Sequence, residues 1–360
     1  MSTIQVVVGG QAGSEAKGAI AAKLAAENIE EGKQNLAVRV GGPNAGHTAI
    51  DSEYRRWALR QIPVAAVIDS NAELYIAAGS EIDIEVLRDE VSTLERAGFS
   101  IRDRLFIDRE ATIIEPKHRE QEQELVGRIG STGKGIGAAR ADRIMRTAQI
   151  AENADFDMSD IQLINVARRL QMKLYDYDAA VATIEATQGY ILGLHAGHYP
   201  YCTSGDCRAV DVLAQAGLNL FDADCAEIYI VFRTYPIRVA GPSGPMFEEV
   251  SWEQLGLPAE LTTVTRKVRR VARWDSEWAR QAIQANGGRD YQTGVNWPVK
   301  MCTCLTQLDY LAPELAHQSI NVEQFKQLTN KLPELGEIVN AIGIPAIVGT
   351  GPATHSRLVR

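Results

Sequence analysis

Apolar residues along this chain fall into two spacings. Short runs rich in Val, Ile and Leu end in glycine or a polar turn: IQVVVGG, LAVRVGGPNAGHT, LYIAAGS and AVATIEATQG, then EIYIVFRTYPIRV, MCTCLTQLDYL and IPAIVGTGP. These read as strands. Between many of them, IDIEVLRDEVSTLERAG, MSDIQLINVARRLQMKLYDYD and VEQFKQLTNKLPELGEIVNAI place their apolar residues at helical spacing,. The alternation predicts an α/β fold with a mainly parallel central sheet and helices on both faces. Ligands then gather where the loops emerge, at the carboxyl ends of the strands. No internal repeat, low-complexity linker or composition shift divides the chain, so residues 1–360 are expected to form one elaborated domain.

Composition narrows the choice of partner. A chain of 360 residues with 45% hydrophobic content can bury a substantial core,. A net charge of −9 argues against a general nucleic-acid or anionic-membrane surface, which needs clustered Lys and Arg,. Phosphate chemistry must therefore be local. A strand begins by Ile4 with no basic-plus-apolar leader, and there is no apolar run of about 20 residues to span a bilayer,. The expected location is cytoplasmic. Five cysteines make an odd count without a disulfide framework, and the C-x-C pair Cys302 and Cys304 lacks two further zinc ligands,. Reduced, buried thiols are expected.

Three glycine-rich stretches carry candidate chemistry. In GGQAGSEAKG (Gly9 to Gly18), glycines allow close backbone approach and successive N–H groups can cradle an anion at the following helix,. Lys17 adds a point charge. The order fits neither G-x-x-x-x-G-K-[ST] nor G-x-G-x-x-G, so a merely tight strand-to-helix turn is the alternative. GGPNAGHT (Gly41 to Thr48) adds Asn44 and Thr48 as hydrogen-bonding groups and His47, which can titrate near neutrality,. IGSTGKGIGAARADRIMR (Ile129 to Arg146) adds a third turn, then Arg140, Arg143 and Arg146. A solvated basic helix is its plainest reading.

Together these stretches resemble, in order and spacing, the signature segments of adenylosuccinate synthetases. The resemblance continues through EATQG, YPYCTSGD, TTVTRKVRRVARWD, LTQLD and GTGP, so it covers nearly the whole chain. It implies a P-loop-NTPase-like α/β fold with elaborated loops. It also implies an NTP-driven reaction in which O6 of a 6-oxopurine nucleotide is phosphorylated and the amino group of L-aspartate then displaces the phosphate. His47 would be the general acid and Lys17 would meet the transferring phosphate. The NTP and Mg²⁺ would lie on Gly13, Glu15, Ala16, Lys17, Gly18, Gly46, His47 and Thr48, with Ser14 and Gly46 at the metal. Ser14, Asn44, Gly130, Ser131, Thr132, Gln188 and Thr203 would surround the substrate nucleotide. Arg146 would reach it from a neighbouring subunit, which implies a homodimer with shared sites. Thr263, Lys267 and Arg269 would hold aspartate. Gln307, Asp309, Gly349, Gly351 and Pro352 would enclose the NTP base.

Departures from that pattern carry as much information. Ser14 stands where the family has its catalytic aspartate, which takes the N1 proton and touches Mg²⁺, and Ala12 replaces the usual tryptophan. A serine opens space beside N1 for a purine bearing a 2-amino group and can accept a hydrogen bond from it. In this the chain resembles the bacteriophage branch of 2-aminoadenylosuccinate synthetases, which use dGMP; its location would then be the host cytoplasm. Glu15, metal-bound water and substrate-assisted loss are the alternatives for the N1 proton. Lys267 replaces an arginine, and Gln307 replaces the lysine of the guanine-reading T-K-L-D, so the GTP preference is expected to relax toward ATP or dATP. An ordinary IMP-using enzyme and a non-catalytic nucleotide-binding regulator are the competing readings.

Overall fold

The computed structural model describes residues 1–155, 161–262, 267–288 and 299–359. Ten strands form its central sheet: β1 (Thr3–Gly9), β2 (Gln34–Arg39), β3 (Glu73–Ile76), β4 (Leu105–Asp108), β5 (Gln162–Ile164), β6 (Ala180–Glu185), β7 (Cys225–Arg233), β8 (Val299–Thr306), β9 (Ile347–Gly349) and β10 (His355–Arg357). Their spatial order is β10-β9-β8-β7-β1-β6-β2-β3-β4-β5. Neighbours pair in parallel, except that β10 returns antiparallel on β9 at one edge. The α/β architecture expected from the alternating pattern is therefore present.

Side chains leave a strand on alternate faces, and both faces of this sheet are dry. Ile4, Val6 and Val8 of β1 join one core with Leu36, Ile184, Ile230 and Phe232. Val7 joins the other with Ala37, Tyr229 and Val231. The first face is covered by helices Val166–Asp176, Ala209–Gln215, Ser276–Ala285 and Pro333–Ile342, the second by Lys17–Glu30 and Ile84–Arg96. Polar function is thereby pushed to the strand ends.

Two expected helices are divided differently. The stretch beginning at Met158 starts outside the described residues, and Gln162–Ile164 then pairs with β4 as an edge strand. Asn165 ends that strand, its side chain accepting the Arg168 N–H at 2.8 Å to cap a helix that starts at Val166,. The 322–342 stretch is two helices, Val322–Lys331 and Pro333–Ile342. Pro333 lacks the N–H needed to continue the first and is suited to start the second.

The sheet's middle fixes the site. After β1 the chain passes through its helix to β2, leaving a gap that β6 fills, while β7 lies on the other flank of β1. The carboxyl ends of β1, β2, β6 and β7 therefore converge at a topological switch point. Packing there is close: a Cβ on Gly10 would lie 2.2 Å from the ring of the fully buried Phe232. Gly10→Ala should destabilise the protein by about 1–3 kcal/mol through overpacking, read as a lower denaturant midpoint; an unchanged midpoint would show that this junction is loose.

Candidate active site

The loop after β1 is shaped by one buried carboxylate. Glu15 accepts N–H groups from Gln11 (3.2 Å) and Gly13 (2.7 Å) and pairs with Lys17 Nζ at 2.7 Å. Gly13, Ser14 and Ala16 have φ of 89°, 60° and 65°, a left-handed series that points backbone N–H groups inward on Glu15. Ser14 is left exposed at the turn, and its hydroxyl makes no hydrogen bond among the described residues. Beside it, Ala12 packs with Ile191 and Trp278.

The loop after β2 brings His47 beneath the start of the first helix. A Cβ on Gly18 would lie 2.6 Å from His47 Cβ and 3.0 Å from Thr48 N, so only glycine permits this approach. Nδ1 of His47 is 2.7 Å from Glu185 Oε2 at the end of β6, and Arg39 Nη1 at the end of β2 lies against both ring nitrogens, 2.9 Å from Nδ1 and 3.0 Å from Nε2. With Nδ1–H given to Glu185, Nε2 is the ring's acceptor and Arg39 its donor. Arg39 also holds the Ala45 carbonyl at 2.6 Å, and Glu185 Oε1 accepts the Val64 N–H at 2.7 Å. Burial, then the cations of Arg39 and Lys17, push His47 well below its usual range. Burial pushes Glu185 up to about 7, against the Arg39 charge and the Val64 N–H.

A cleft opens between these loops and the helix Ile136–Met145. Asn44, Gln188 and Thr203 line it together with Arg140 and Thr187. Gln188 is held at φ 60°. Gly130, at φ 70°, turns the chain against Ser243, and Ser131 Oγ accepts the Gly133 N–H at 3.2 Å, with Thr132 between them. Arg146 is absent from the cleft's lining. It ends the helix exposed, following Ile144 and Met145, which are 74% and 70% exposed.

The described ends of the segment expected to hold aspartate pair antiparallel, Leu261 with Val268. Glu260 O accepts from Arg269 N at 2.8 Å and Thr262 N donates to Lys267 O at 2.9 Å; Thr263 lies outside the described residues. Lys267 is exposed. Arg269 donates to Glu260 at 3.0 Å, and the fully buried Arg233 donates to Glu260 at 2.5 Å and to the Ser14 carbonyl at 3.3 Å. Burial works against the Glu260 charge, yet Arg233 and Arg269 hold its carboxyl at about 2. Past β8, Gln307 Oε1 and Asp309 Oδ1 are buried without a hydrogen-bond partner among the described residues. Gly349 and Gly351 give close passage to His355 and His317, and Pro352 is exposed. Thr306 Oγ1 bonds the Glu15 carbonyl at 3.0 Å, joining this end to the first loop.

Arg39, Glu185, Arg233, Glu260 and Arg140 were not singled out by role from sequence. A usable signal was present for the first four: Arg39, Glu185 and Arg233 are charges ending apolar strands, and Glu260 precedes the Thr-rich stretch. Glu115, His118 and Asp142 also cluster. Lys117 Nζ lies 3.0 Å from both carboxylates, and His118 Nδ1 accepts the Glu115 N–H. An ammonium already supplies the positive charge there.

The family model for adenylosuccinate synthetase matches residues 6–182 and 163–293. The adenylosuccinate synthetase of Methanococcus aeolicus is 34% identical over 363 residues, covering 99% of this chain and 99% of its own. That of Pyrococcus horikoshii is 35% identical over 358 residues, with 96% and 95% covered. Among solved structures, the cyanophage S-2L succinoaminodeoxyadenylate synthetase (PurZ) bound to dGMP and dATP superposes with a TM-score of 0.78 at 28% identity, over 98% of this chain and 93% of that one. The fully ligated adenylosuccinate synthetase of Plasmodium falciparum shares the fold, with a TM-score of 0.69 at 21% identity over 86% and 77%. The chain belongs to the adenylosuccinate synthetase family. It is thus a nucleotide-dependent carbon–nitrogen ligase of purine biosynthesis.

A buried carboxyl with a raised pKa favours the folded state while protonated. The Glu185 contribution is present below about 4.5 and lost as pH rises through about 7,. Glu185→Gln cannot ionise. Wild-type stability should therefore fall relative to the variant across that window, by up to about 3 kcal/mol, measured by urea unfolding at several pH values; parallel profiles would refute the buried charge.

Proposed function

We propose that the chain joins L-aspartate to C6 of dGMP with hydrolysis of a nucleoside triphosphate, giving 2-amino-2′-deoxyadenylosuccinate. The observation that carries this reading is Ser14, whose exposed, uncommitted hydroxyl stands where the family has a carboxylate. A 2-amino group needs volume and an acceptor beside N1, and Ser14 offers both. Support comes from the likeness to the cyanophage enzyme, which binds dGMP. The archaeal relatives are ordinary adenylosuccinate synthetases, so IMP is the competing substrate.

The reaction needs charge neutralised at the γ-phosphate, a nucleophilic O6 and a good leaving group. O6 attacks the γ-phosphorus, the nucleoside diphosphate leaves and N1 gives up its proton. The aspartate amine then forms the C6–N bond as the C6–O bond breaks and phosphate departs. Lys17, paired with Glu15, would lend its charge to the transferring phosphoryl group. The His47 imidazole rests neutral with Nε2 as acceptor; to act as the acid it would take the proton that leaves N1 there, in place of the Arg39 hydrogen bond, and give it to the departing oxygen, with Glu185 on Nδ1 stabilising the cation that forms. Glu15 is turned under the loop on two N–H groups and Lys17, which disfavours it as the N1 base and favours water or substrate-assisted loss.

Mg²⁺ fits the donor set. Ser14 Oγ and the Gly46 carbonyl are hard oxygens uncommitted among the described residues. Both are neutral, so bound Mg²⁺ would rely on phosphate oxygens for charge, and it would neutralise the charge on those phosphates. Arg233, on the Ser14 carbonyl and Glu260, couples this turn to Arg269 in the segment expected to hold aspartate. The orphaned acceptors on Gln307 and Asp309 suit a base bearing exocyclic amino hydrogens. Gln307 can also turn its amide to donate, which supports ATP or dATP beside GTP.

Two experiments test this reading. Wild type should turn over dGMP faster than IMP with aspartate, and Ser14→Asp should lower dGMP use by about ten- to 200-fold, as carboxylate and amino group compete for one volume. An aspartate variant that used dGMP as well as wild type would end the space argument. The shared site is tested separately. Arg146→Leu should weaken nucleotide binding, and mixing it with His47→Ala should restore activity through hybrid dimers holding one intact site. No recovery in verified mixed dimers would place Arg146 outside a partner's site.

A further inference from the structure

We infer that Arg140 is a same-chain contact for the 5′-phosphate of the substrate nucleotide, additional to Arg146 of a neighbouring copy. The inference rests on reading the cleft of Asn44, Gln188 and Thr203 as the monophosphate site. Arg140 lines that cleft from the helix Ile136–Met145. Its guanidinium is fixed on one edge: Nε lies 2.5 Å from Glu81 Oε1, and Nη2 lies 3.4 Å from both Glu81 Oε2 and Gln215 Oε1. Glu81 is itself 3% exposed, so its anchorage is rigid.

The other edge is free. Nη1 of Arg140 has no acceptor among the described residues. It passes so close to the Thr203 loop that a Cβ on Gly205 would be 1.9 Å from it. Position 205 is therefore held to glycine by the guanidinium. Asp206, the acidic side chain of that loop, is occupied by His195, whose backbone N–H and Nδ1 lie 2.9 and 2.7 Å from its oxygens. The Asn44 amide and the Thr203 hydroxyl add neutral donors, and Arg140 is the one cationic side chain lining the cleft among the described residues,. A phosphate has several acceptor oxygens and suits a preoriented guanidinium better than a sugar hydroxyl or a base edge does.

Calorimetric titration of dGMP and IMP, each against its nucleoside, tests the contact. Arg140→Met should weaken both monophosphates by about 10–150-fold, the range of a hydrogen bond to a charged group, while leaving deoxyguanosine and inosine within about twofold by the same reasoning. Arg140→Lys keeps a cation for Glu81 but loses the fork, and should give a smaller loss in the same direction. Inorganic phosphate should compete with dGMP on wild type and lose that competition in Arg140→Met. Because the contact is to phosphate, the loss holds for either base. A wild type that prefers IMP would therefore overturn the dGMP reading without touching this one. Equal weakening of nucleotide and nucleoside, or no weakening in a folded Arg140→Lys protein, would overturn the phosphate contact.

Discussion

Glu15 occupies the space between two strand ends. A Cβ on Gly9 would lie 2.6 Å from its carboxylate, and one on Gly189 would lie 2.4 Å from it. The side chain thus sets both glycines, the curl of the first loop and the position of Lys17. Its carbonyl takes the Thr306 hydroxyl from β8, so the loop is tied across β7 as well. A buried carboxylate is tolerable only when its oxygens are satisfied, and here two backbone N–H groups and an ammonium do so. Every outward-facing group of the loop, Ser14 included, is presented by that arrangement.

The same device recurs around the site. Glu185 holds His47 and the Val64 N–H beside Arg39; Glu260 holds Arg233, Arg269 and Tyr310; Glu81 holds Arg140. Each carboxylate fixes a cationic or titratable group at or beside a strand end, and Arg140 lines the cleft itself. Orientation in the site is thereby established before any ligand arrives, which limits the ordering that binding must supply.

The strands, and the gathering of loops at their carboxyl ends, were legible because long apolar runs with glycine ends have few other uses; the switch point needed the strand order. Ser14, His47 and Asn44 were legible because they sit in those glycine turns. What escaped was long-range pairing. Arg39 and His47 are neighbours in sequence, but Glu185, which completes their cluster, comes from a strand far along the chain, and no local pattern encodes that contact. The split of the 322–342 segment was foreshadowed by Pro333, whereas the strand before Asn165 was hidden inside a helical spacing. Arg140 was visible only as part of a basic run, because its meaning depends on Glu81 and Gly205.

Trp278 and Ala12 share one volume at the rim of the first loop, with the indole also 5.5 Å from the Arg238 guanidinium and 5.9 Å from the His198 ring. The two positions, far apart in sequence, form one packing unit, so the effects of changes at positions 12 and 278 are not independent. A larger side chain at position 12 would have to displace the indole, the ring that stands beside Arg238 and His198.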